Sequence, residues 1–507
     1  MGTWGWRRLW ESDRAFLAAV LAGGAAVRLW RLDSQSLWLD ELFSVAVSEL
    51  SVEGVAKKMA EEFHPPLYYW LLKAWRLLGT SDLHVRALSV LLGCLTIPLF
   101  FSLSGKVLGR NARRLATCLL AFSPLHVYFS QEVRGYVLTH LLAVASLDLY
   151  VGARGRPSGA RFAGLLLLDV AGLYTHVFYG LHLLVRPLLL PWLRAPGERR
   201  SALVATLLGA ALAGAAYVPW WSGVSHVAGL EEGYRMPVGP MNIGYVLYTW
   251  SVGIGWGPGH EELRGYPDPL EVLGNHPLSI GSAAVLFGGL LLLGIRAIGR
   301  GGEGRRRAAL LLQFTVPIAG AFVVAHFIVV SLLPRYPIVG FPAFLLLIAA
   351  GLLSLPGRLR AAAGLAVFAL WGGSLWNAQT NPRFMREDYR GVGALLAESR
   401  GDGDRVLLPS FCIPFVTHYL EGKSETGGRE SLEPLTESAV REAREAERTW
   451  VVLNQVWTAD PDGRIRRALA ERRDVSEEWE LIGFKVYLIG SPSAKPLPAS
   501  RRRRVLR

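Results

Sequence analysis

The sequence has few cysteines and no familiar metal-binding spacing. Its three cysteines, Cys94, Cys118 and Cys412, are scattered over 507 residues, so the chain predicts no disulfide framework. It also lacks the His-x-x-x-His spacing with which a helix presents two histidines to a metal. No internal repeat is visible of the kind that marks many transporters. These absences argue against a disulfide scaffold, a zinc site of common spacing and a transporter built from two similar halves.

Acidic residues are also in the minority. The chain has 41 Asp and Glu against 54 Lys and Arg, a formal net charge of +13, and such a balance can indicate nucleic-acid binding. Much of the arginine, however, lies in short connections between apolar runs, which is the pattern that orients membrane proteins. Hydrophobic residues make up 51% of the chain and the mean hydropathy is +0.29. Runs of roughly 15 to 24 apolar residues recur, so we predict a polytopic α-helical membrane protein that does not bind nucleic acid.

The apolar runs and their basic connections predict about eleven transmembrane helices. The first run, 15–32, follows a basic flank that should stay in the cytoplasm, and its Arg28 and Arg31 are expected to extend to the outer interface. The spans are 15–32, 83–106, 115–129 and eight further runs that end at or before residues 151, 174, 194, 221, 296, 334, 356 and 376. The spacing in 52–63 predicts a helix along the membrane surface. The run 67–78 is too short to span and predicts an interfacial or re-entrant helix; a full crossing there would invert the arginine pattern halfway.

Ionisable and hydrogen-bonding residues gather at the outer ends of these spans. The stretch 36–47, SLWLDELFSVAV, places Asp40 and Glu41 just past the first span. Later returns of the chain to this side add His64, Glu132, Arg134, His176, Arg335 and Tyr336. Two acids alone could be solvated loop residues near the headgroups. Their recurrence with other polar groups at one face instead predicts a functional site there.

The composition also predicts a division into domains. Residues 1–379 form the transmembrane module, with an outer loop at 33–80 and a long outer loop at 222–276 that is rich in Gly, Pro, Trp and Tyr. In 380–490 the apolar runs shorten, and helices at 387–399, 437–446 and 464–472 alternate with strands at 405–408, 450–454 and 484–489. Such alternation predicts a small extracytoplasmic α/β domain. The basic tail 491–507 is expected to be disordered.

Several motifs then carry a resemblance to a known family. They are SLWLDELF after the first span, HPPLYYWLLKAW, AFSPLHVYFSQEVRGYVL, YTHVFYG and RYPIVGFPAFLLLIAAGL. Their order and common outer placement resemble the GT-C membrane glycosyltransferases, in particular the protein O-mannosyltransferase and aminoarabinose transferase group, which is glycosyltransferase family 39-like. The resemblance covers most of 29–353, and DYRGVGALLAESRGDGDRVLL resembles the start of the outer domain of many bacterial members.

The resemblance implies transfer of a hexose or pentose from a polyprenyl-phosphate donor to an acceptor hydroxyl at the outer face of the membrane. The chemistry requires a base for that hydroxyl, and Asp40 is assigned this role by its place in the motif. Glu41 would support the base or bind the acceptor, unless it only caps the helix start. Because phosphate is a good leaving group, a second, acidic carboxyl is not required. A cation that faces the phosphate would instead stabilise the charge that develops there.

The remaining assignments concern donor binding. Arg134 is the first candidate phosphate ligand and Glu132 would orient it or the sugar, although the two could be an ordinary ion pair at a helix start. The resemblance implies donor-phosphate roles for Arg335 and Tyr336 as well, where an arginine could also simply anchor the interface. His64 replaces the lysine that precedes Pro-Pro in aminoarabinose transferases, and neutral imidazole is a poorer cation. The sugar pocket is assigned to His176, Tyr179 and Tyr136, although a histidine among aromatic residues is more often structural.

No cofactor is assigned. A divalent ion among Asp40, Glu41, Glu132 and His64 would help to neutralise phosphate, but metal-independent catalysis is favoured because adjacent acids are common. The expected partners are the lipid bilayer, a polyprenyl-phosphate-linked sugar and an unknown glycan, lipid or protein acceptor. The expected location is the bacterial cytoplasmic (inner) membrane, as a multi-pass protein with its active site on the extracytoplasmic face. Alternatives are a transporter or flippase of a lipid-linked sugar, which should hold charges near the midplane, and a non-catalytic membrane scaffold.

Overall fold

A computed structural model gives the structure of the chain. It describes residues 12–62, 64–152, 158–222, 225, 238–259, 262–263, 269–298, 304–327, 331–401, 403–420, 432–443, 448–454, 459–460 and 462–490. Three segments for which the sequence made predictions lie outside these residues. They are the basic flank before residue 12, much of the 222–276 loop and the tail 491–507. The chain divides into two compact units. Unit 1 contains Met1–Leu32, Ser44–Gly257 and Pro269–Ala378, and unit 2 contains Asp33–Phe43, Pro258–Asp268 and Gln379–Arg507.

All regular secondary structure in the described residues of unit 1 is helical. Its helices are α1 Asp13–Leu29, α2 Leu39–Glu49 (which starts in unit 2), α3 Val52–Ala60, α4 Leu67–Arg76, α5 Asp82–Val107, α6 Arg110–Phe122, α7 Pro124–Ser130, α8 Tyr136–Val151, α9 Gly159–Leu173, α10 Gly180–Leu193, α11 Arg199–Tyr217, α12 Pro240–Val252, α13 Pro269–Asn275, α14 Pro277–Ile298, α15 Gly304–Phe327, α16 Phe341–Ser354 and α17 Gly357–Thr380. Serine side chains cap several of them; Ser81, for example, accepts a hydrogen bond from the His84 amide at the start of α5.

Five described helical stretches are long and apolar enough to cross a membrane. They are Asp82–Val107, Pro196–Trp220, Pro277–Ile298, Arg307–Phe327 and Gly357–Thr380. Three shorter apolar stretches are Tyr136–Val151, Val177–Leu193 and Ile338–Ser354. Each of the eleven predicted spans contains a described helix, but only five of these stretches are long and apolar enough to cross a membrane, so the predicted number of crossings is not confirmed. The third is broken into α6 and α7 at Ser123, whose hydroxyl caps the second piece.

Arg28 corrects one expectation from the sequence. It was expected to extend to the membrane interface, but it is fully buried. Its guanidinium donates to the carbonyl oxygens of Gly24 at 2.8 Å and Ala121 at 2.7 Å, and to the Ser130 hydroxyl at 3.2 Å, and it contacts Nδ1 of His126 at 2.7 Å. Neighbouring helices supply enough acceptors to hold the cation inside the bundle, so it does not need to reach water.

Unit 2 is a small α/β fold. Its helices are α18 Tyr389–Ser399, α19 Ile413–Leu420, α20 Glu437–Glu442 and α21 Arg464–Ala470, and its strands are β1 Arg405–Leu408, β2 Leu432–Pro434, β3 Thr449–Asn454, β4 Val475–Leu481 and β5 Phe484–Ile489. The described strands form one mixed sheet in the order β2-β1-β3-β5-β4, parallel from β2 to β3 and antiparallel from β3 to β4. Leu407, Val451 and Leu453 pack beneath α20 and α21 in its core. The strands predicted at 405–408, 450–454 and 484–489 are confirmed, whereas β2 and β4 were missed.

Candidate active site

The loop 131–135 places two of the predicted site residues between α7 and α8. The main-chain carbonyl of the buried Glu132 accepts hydrogen bonds from the Ser89 hydroxyl at 2.6 Å and from the Arg134 amide at 2.8 Å. A side chain on Gly135 would come within 3.1 Å of Thr175 and 3.3 Å of Tyr68. Because glycine allows this close approach, the loop can pack against both α4 and the bend that follows α9.

Arg134 lies nearly buried among polar groups from three separate segments. Its guanidinium donates to the hydroxyls of Ser44 and Tyr69, each at 3.4 Å, and its Nη2 lies 3.3 Å from Nε2 of His64. Since arginine can only donate, Nε2 of His64 is the acceptor and its proton resides on Nδ1. His64 thus orients Arg134 as a neutral ring, and it does not add a second cation at this point.

Aromatic rings surround this arginine. The His64 ring centroid is 5.4 Å from that of His176 and 6.4 Å from that of Tyr136, and the His176 and Tyr136 centroids are 5.7 Å apart. Nδ1 of His176 accepts a hydrogen bond from the Phe178 amide at 3.2 Å, so the proton of the neutral ring is on Nε2. The three rings bring predicted donor and sugar residues from the segment before α4, from the start of α8 and from the bend after α9 into one place.

A second arginine joins the group from the loop before α16. Cζ of Arg335 lies 5.0 Å from the ring centroid of Tyr136, and Cζ of Arg134 lies 5.8 Å from the same ring. The Tyr336 ring stacks on Phe178, with 4.4 Å between centroids. Two guanidinium groups therefore share one tyrosine, in a favourable cation–π arrangement. The Arg134 cluster, defined here as His64, Arg134, Tyr136, His176, Arg335 and Tyr336, unites six of the ten predicted site residues.

The histidines of the cluster are held neutral. Burial lowers the pKa of His64 well below 6.5, and the charge of Arg134 lowers it further. Burial and the charges of Arg335 and Arg134 lower the pKa of His176 to about 3. At neutral pH the positive charge of the cluster therefore resides on its arginines. The arrangement can receive an anion with two separated cations and with hydrogen bonds from the surrounding rings.

The hydroxyl of Tyr136 is a group in the cluster that a ligand could hydrogen-bond. This hydroxyl is buried and has no hydrogen-bond partner among the residues that the structure describes. Buried hydroxyls in folded proteins are nearly always hydrogen-bonded, to protein, water or ligand. A polar ligand that also contacts the two arginines would satisfy this hydroxyl.

The acids Asp40 and Glu41 begin α2, in the part of this helix that belongs to unit 2. Glu41 is fully buried and its Oε2 accepts a hydrogen bond from the Trp38 amide at 3.3 Å, so it makes the capping contact that the sequence left open. Asp40 is partly exposed in the same turn. The segment before it is fastened within unit 2, because the Leu37 amide donates to the Tyr419 hydroxyl at 2.9 Å.

Asp40 interacts electrostatically with Tyr389 within unit 2. Burial raises the pKa of Tyr389, and its interactions with Cys412, Glu387 and Asp40 raise it further. The Ser36 hydroxyl donates to the Glu387 carbonyl at 2.8 Å. Asp40 thus stands at a helix start that other parts of unit 2 fix in position.

Comparison with solved structures identifies the fold. The structure superimposes on ArnT from Cupriavidus metallidurans bound to undecaprenyl phosphate, with a TM-score of 0.57 and 15% identity over 95% of this chain and 100% of that one. It also superimposes on the oligosaccharyltransferase AglB from Archaeoglobus fulgidus, in complex with an inhibitory peptide and a dolichol-phosphate, with a TM-score of 0.53 and 10% identity over 98% of this chain and 76% of that one. The chain has the GT-C fold. No family model and no curated protein sequence matches it.

One predicted site residue of this GT-C fold lies elsewhere. The hydroxyl of Tyr179 donates to Oδ1 of Asp169 at 3.2 Å, inside the bundle formed by α8, α9 and α10. It is fully buried there, and Arg186 pairs with the same aspartate. The turn Val177–Tyr179 directs His176 and Tyr179 into different environments. We therefore leave Tyr179 out of the site proposed below.

The structure adds residues to the site that the sequence analysis did not single out. Ser44 and Tyr69 hydrogen-bond Arg134, and Phe178 supports Tyr336. Helical spacing could have indicated Ser44, which is four residues after Asp40 in the same helix. Among the described residues, no group of three His, Cys, Asp or Glu side chains is arranged to hold a metal ion.

The neutral histidines of the Arg134 cluster lead to a pH prediction. An unfolded histidine titrates near pH 6.5 and folded His176 near 3, so between these values the unfolded chain binds more protons. Stability should therefore be fully present above pH 6.5 and fall by about 1.4 kcal/mol per pH unit per histidine as the pH decreases below it. In His176→Asn the amide oxygen can still accept from Phe178, but nothing titrates. We expect the melting temperature of this variant to fall less between pH 7.5 and 5 than that of the wild type.

The control for this measurement is His418→Asn, which replaces a histidine of unit 2 outside the cluster. It should follow the wild-type pH profile. An equal pH-dependent loss in His176→Asn and wild type would show that His176 is not held neutral by the fold.

Proposed function

We propose that this multi-pass membrane protein is a glycosyltransferase that moves a sugar from a polyprenyl-phosphate donor to an acceptor hydroxyl at the extracytoplasmic face of a bacterial inner membrane. The observation that carries the proposal is the Arg134 cluster in a GT-C fold. It offers two cations, the buried Arg134 and the partly exposed Arg335, beside neutral rings and a Tyr136 hydroxyl that has no hydrogen-bond partner among the described residues. This is the chemistry needed to hold a sugar phosphate.

The proposed reaction has one base and one leaving group. Asp40 removes the proton of the acceptor hydroxyl as its oxygen attacks the anomeric carbon, and the bond from that carbon to the phosphate oxygen breaks. The polyprenyl phosphate leaves as an anion and needs no proton from a second acid. Arg134 and Arg335 bind the phosphate more strongly as its charge grows, which lowers the barrier more than it lowers the ground state.

Two further observations support the roles within this proposal. Glu41 is buried and caps the helix start, whereas Asp40 is partly exposed, and this difference in exposure supports Asp40 as the acid that meets an acceptor. Undecaprenyl phosphate is bound in the ArnT structure and a dolichol-phosphate in the AglB structure, which supports a polyprenyl carrier for the donor here. His176, Tyr136 and Tyr336 would contact the sugar, which would be a hexose or a pentose.

The test of the function uses the purified protein in lipid nanodiscs with a panel of radiolabelled polyprenyl-phosphate sugars and an envelope extract as the source of acceptor. We expect one donor class to release polyprenyl phosphate and to pass its label to the extract. Heat-inactivated protein provides the control for spontaneous hydrolysis. Failure of every hexose and pentose donor to react would overturn the proposal, as would movement of a donor across the bilayer of proteoliposomes without cleavage.

A further inference from the structure

A groove opens among four helices of unit 1, away from the Arg134 cluster. It lies between α8, α9, α10 and α11, and its empty space, counted together with the open solvent at its mouth, is about 580 Å³. Its walls include Tyr150, Arg161, Phe162, Asp169, Arg186 and Arg194. Tyr136 and the bend at His176 mark the cluster end of these helices, whereas Tyr150, Arg161 and Arg194 lie at their other ends, about 20 Å along α8.

The lining of the groove carries an excess of positive charge. Three of its residues are arginines and one, Asp169, is an acid. Asp169 pairs with Arg186, and these two side chains are only 1% and 3% exposed. Arg161 and Arg194 therefore have no balancing carboxylate in the lining. Nε of Arg186 is also buried without a hydrogen-bond partner among the described residues.

The buried arginines are held in place before any ligand arrives. Cζ of Arg186 and Cζ of Arg194 lie 5.7 Å and 5.3 Å from the ring centroid of Tyr150. Arg194 also donates to the Tyr150 carbonyl at 2.6 Å, and the Tyr150 hydroxyl donates to the Arg186 carbonyl at 3.0 Å. Fixed guanidinium groups lose little conformational freedom when an anion binds to them.

The rest of the groove is apolar. Phe162, Leu165, Leu166, Ala205 and Gly209 line it. A Cβ on Gly209 would lie 3.6 Å from the Phe162 ring, which is an ordinary van der Waals contact, so Gly209 and Phe162 belong to one continuous apolar wall. A cationic end next to an apolar wall matches a molecule with a charged head and a hydrocarbon chain.

We propose that this groove binds an anionic phospholipid of the bilayer, with its phosphodiester headgroup at Arg161 and Arg194 and an acyl chain along Phe162 and Gly209. The site is separate from the proposed donor site, because it is at the other ends of the same helices. A bound lipid would tie α8, α9, α10 and α11 together. The inference does not depend on the reaction proposed above.

The first test measures lipid retention by native mass spectrometry of detergent-purified protein supplied with phosphatidylglycerol or with phosphatidylcholine of the same acyl chains. We expect the wild type to retain phosphatidylglycerol preferentially. Arg161→Gln should weaken that retention about fivefold, since one surface cation near a lipid headgroup contributes about this factor. Arg161 is partly exposed, so the variant should fold. Arg200→Gln, an exposed residue on the same side but outside the groove, is the matched control and should retain lipid normally.

A second pair of variants tests the apolar wall without changing charge. Gly209→Leu fills the groove and should reduce retention, whereas Gly214→Leu on the exposed face of the same helix meets no neighbour and should not. Equal retention of the two lipids by the wild type, or unchanged retention in both Arg161→Gln and Gly209→Leu, would overturn the proposal. Displacement of the lipid by inorganic phosphate at millimolar concentration would assign the arginines to free phosphate and overturn the lipid assignment.

Discussion

Asp40→Asn is expected to lower the rate of sugar transfer by about 10² to 10⁴-fold, the range that a positioned general base contributes. Asparagine has nearly the shape of aspartate but cannot take the acceptor proton. Since the donor phosphate is proposed to bind at the arginines, the dissociation constant for the donor should stay near its wild-type value. The measurement is the initial rate of polyprenyl phosphate release in nanodiscs, together with donor binding by the same preparation.

The neighbouring acid is the matched control for this experiment. Glu41 accepts the Trp38 amide through Oε2, and glutamine can accept the same hydrogen bond with its amide oxygen. Glu41→Gln should therefore keep most of the activity. If Glu41→Gln were inactive and Asp40→Asn active, the base would be Glu41, and full activity in both variants would place the base outside this pair.

The helices of unit 1 could be predicted from the sequence because their signal is local. Each apolar run that was expected to span contains a described helix, and the boundaries at Asp82–Val107 agree with the prediction of 83–106 to within a residue. The burial and hydrogen-bond partners of polar residues inside these helices could not be predicted in the same way. Arg28 was expected at the interface because sequence does not show that Ala121, His126 and Ser130 stand beside it.

The sequence predicted that several candidate residues would lie close together, but it did not predict how their side chains are oriented. The alternation of spans brings the outer ends of successive helices together, and this rule alone collected His64, Arg134, His176 and Arg335. It does not specify which way a side chain points at a turn. Tyr179, only three residues after His176, consequently turned out to bond Asp169 within the bundle.

The missed strands of unit 2 have a similar explanation. The strand β4, Val475–Leu481, is rich in glutamate and lies at the edge of the sheet, with only Trp479 buried. Edge strands often carry charged residues, so a prediction from composition assigns them to loops. Its partner β5 has buried residues at alternate positions and was predicted from that apolar pattern.

Arg134→Gln is expected to lower kcat by about 10² to 10³-fold, the effect of removing a group that stabilises transition-state charge. Glutamine removes the cation from the phosphate and also loses two of the contacts made by the guanidinium fork to Ser44, Tyr69 and His64. Arg134→Lys keeps the charge without the fork, so its rate should lie between those of the wild type and Arg134→Gln. The measurement is kcat and KM for the donor with each variant.

The control for Arg134 must separate chemistry from stability. Arg76 lies at the partly exposed end of α4 and forms an ion pair with Glu49 at 2.8 Å. Arg76→Gln therefore removes an arginine of unit 1 that does not belong to the Arg134 cluster. It should leave kcat unchanged. If Arg134 stabilises the leaving phosphate, kcat and kcat/KM should fall together in Arg134→Gln while the melting temperature changes little. A large drop in melting temperature with near-normal kcat would instead make Arg134 a structural residue, and Arg335 would become the principal phosphate ligand of the site.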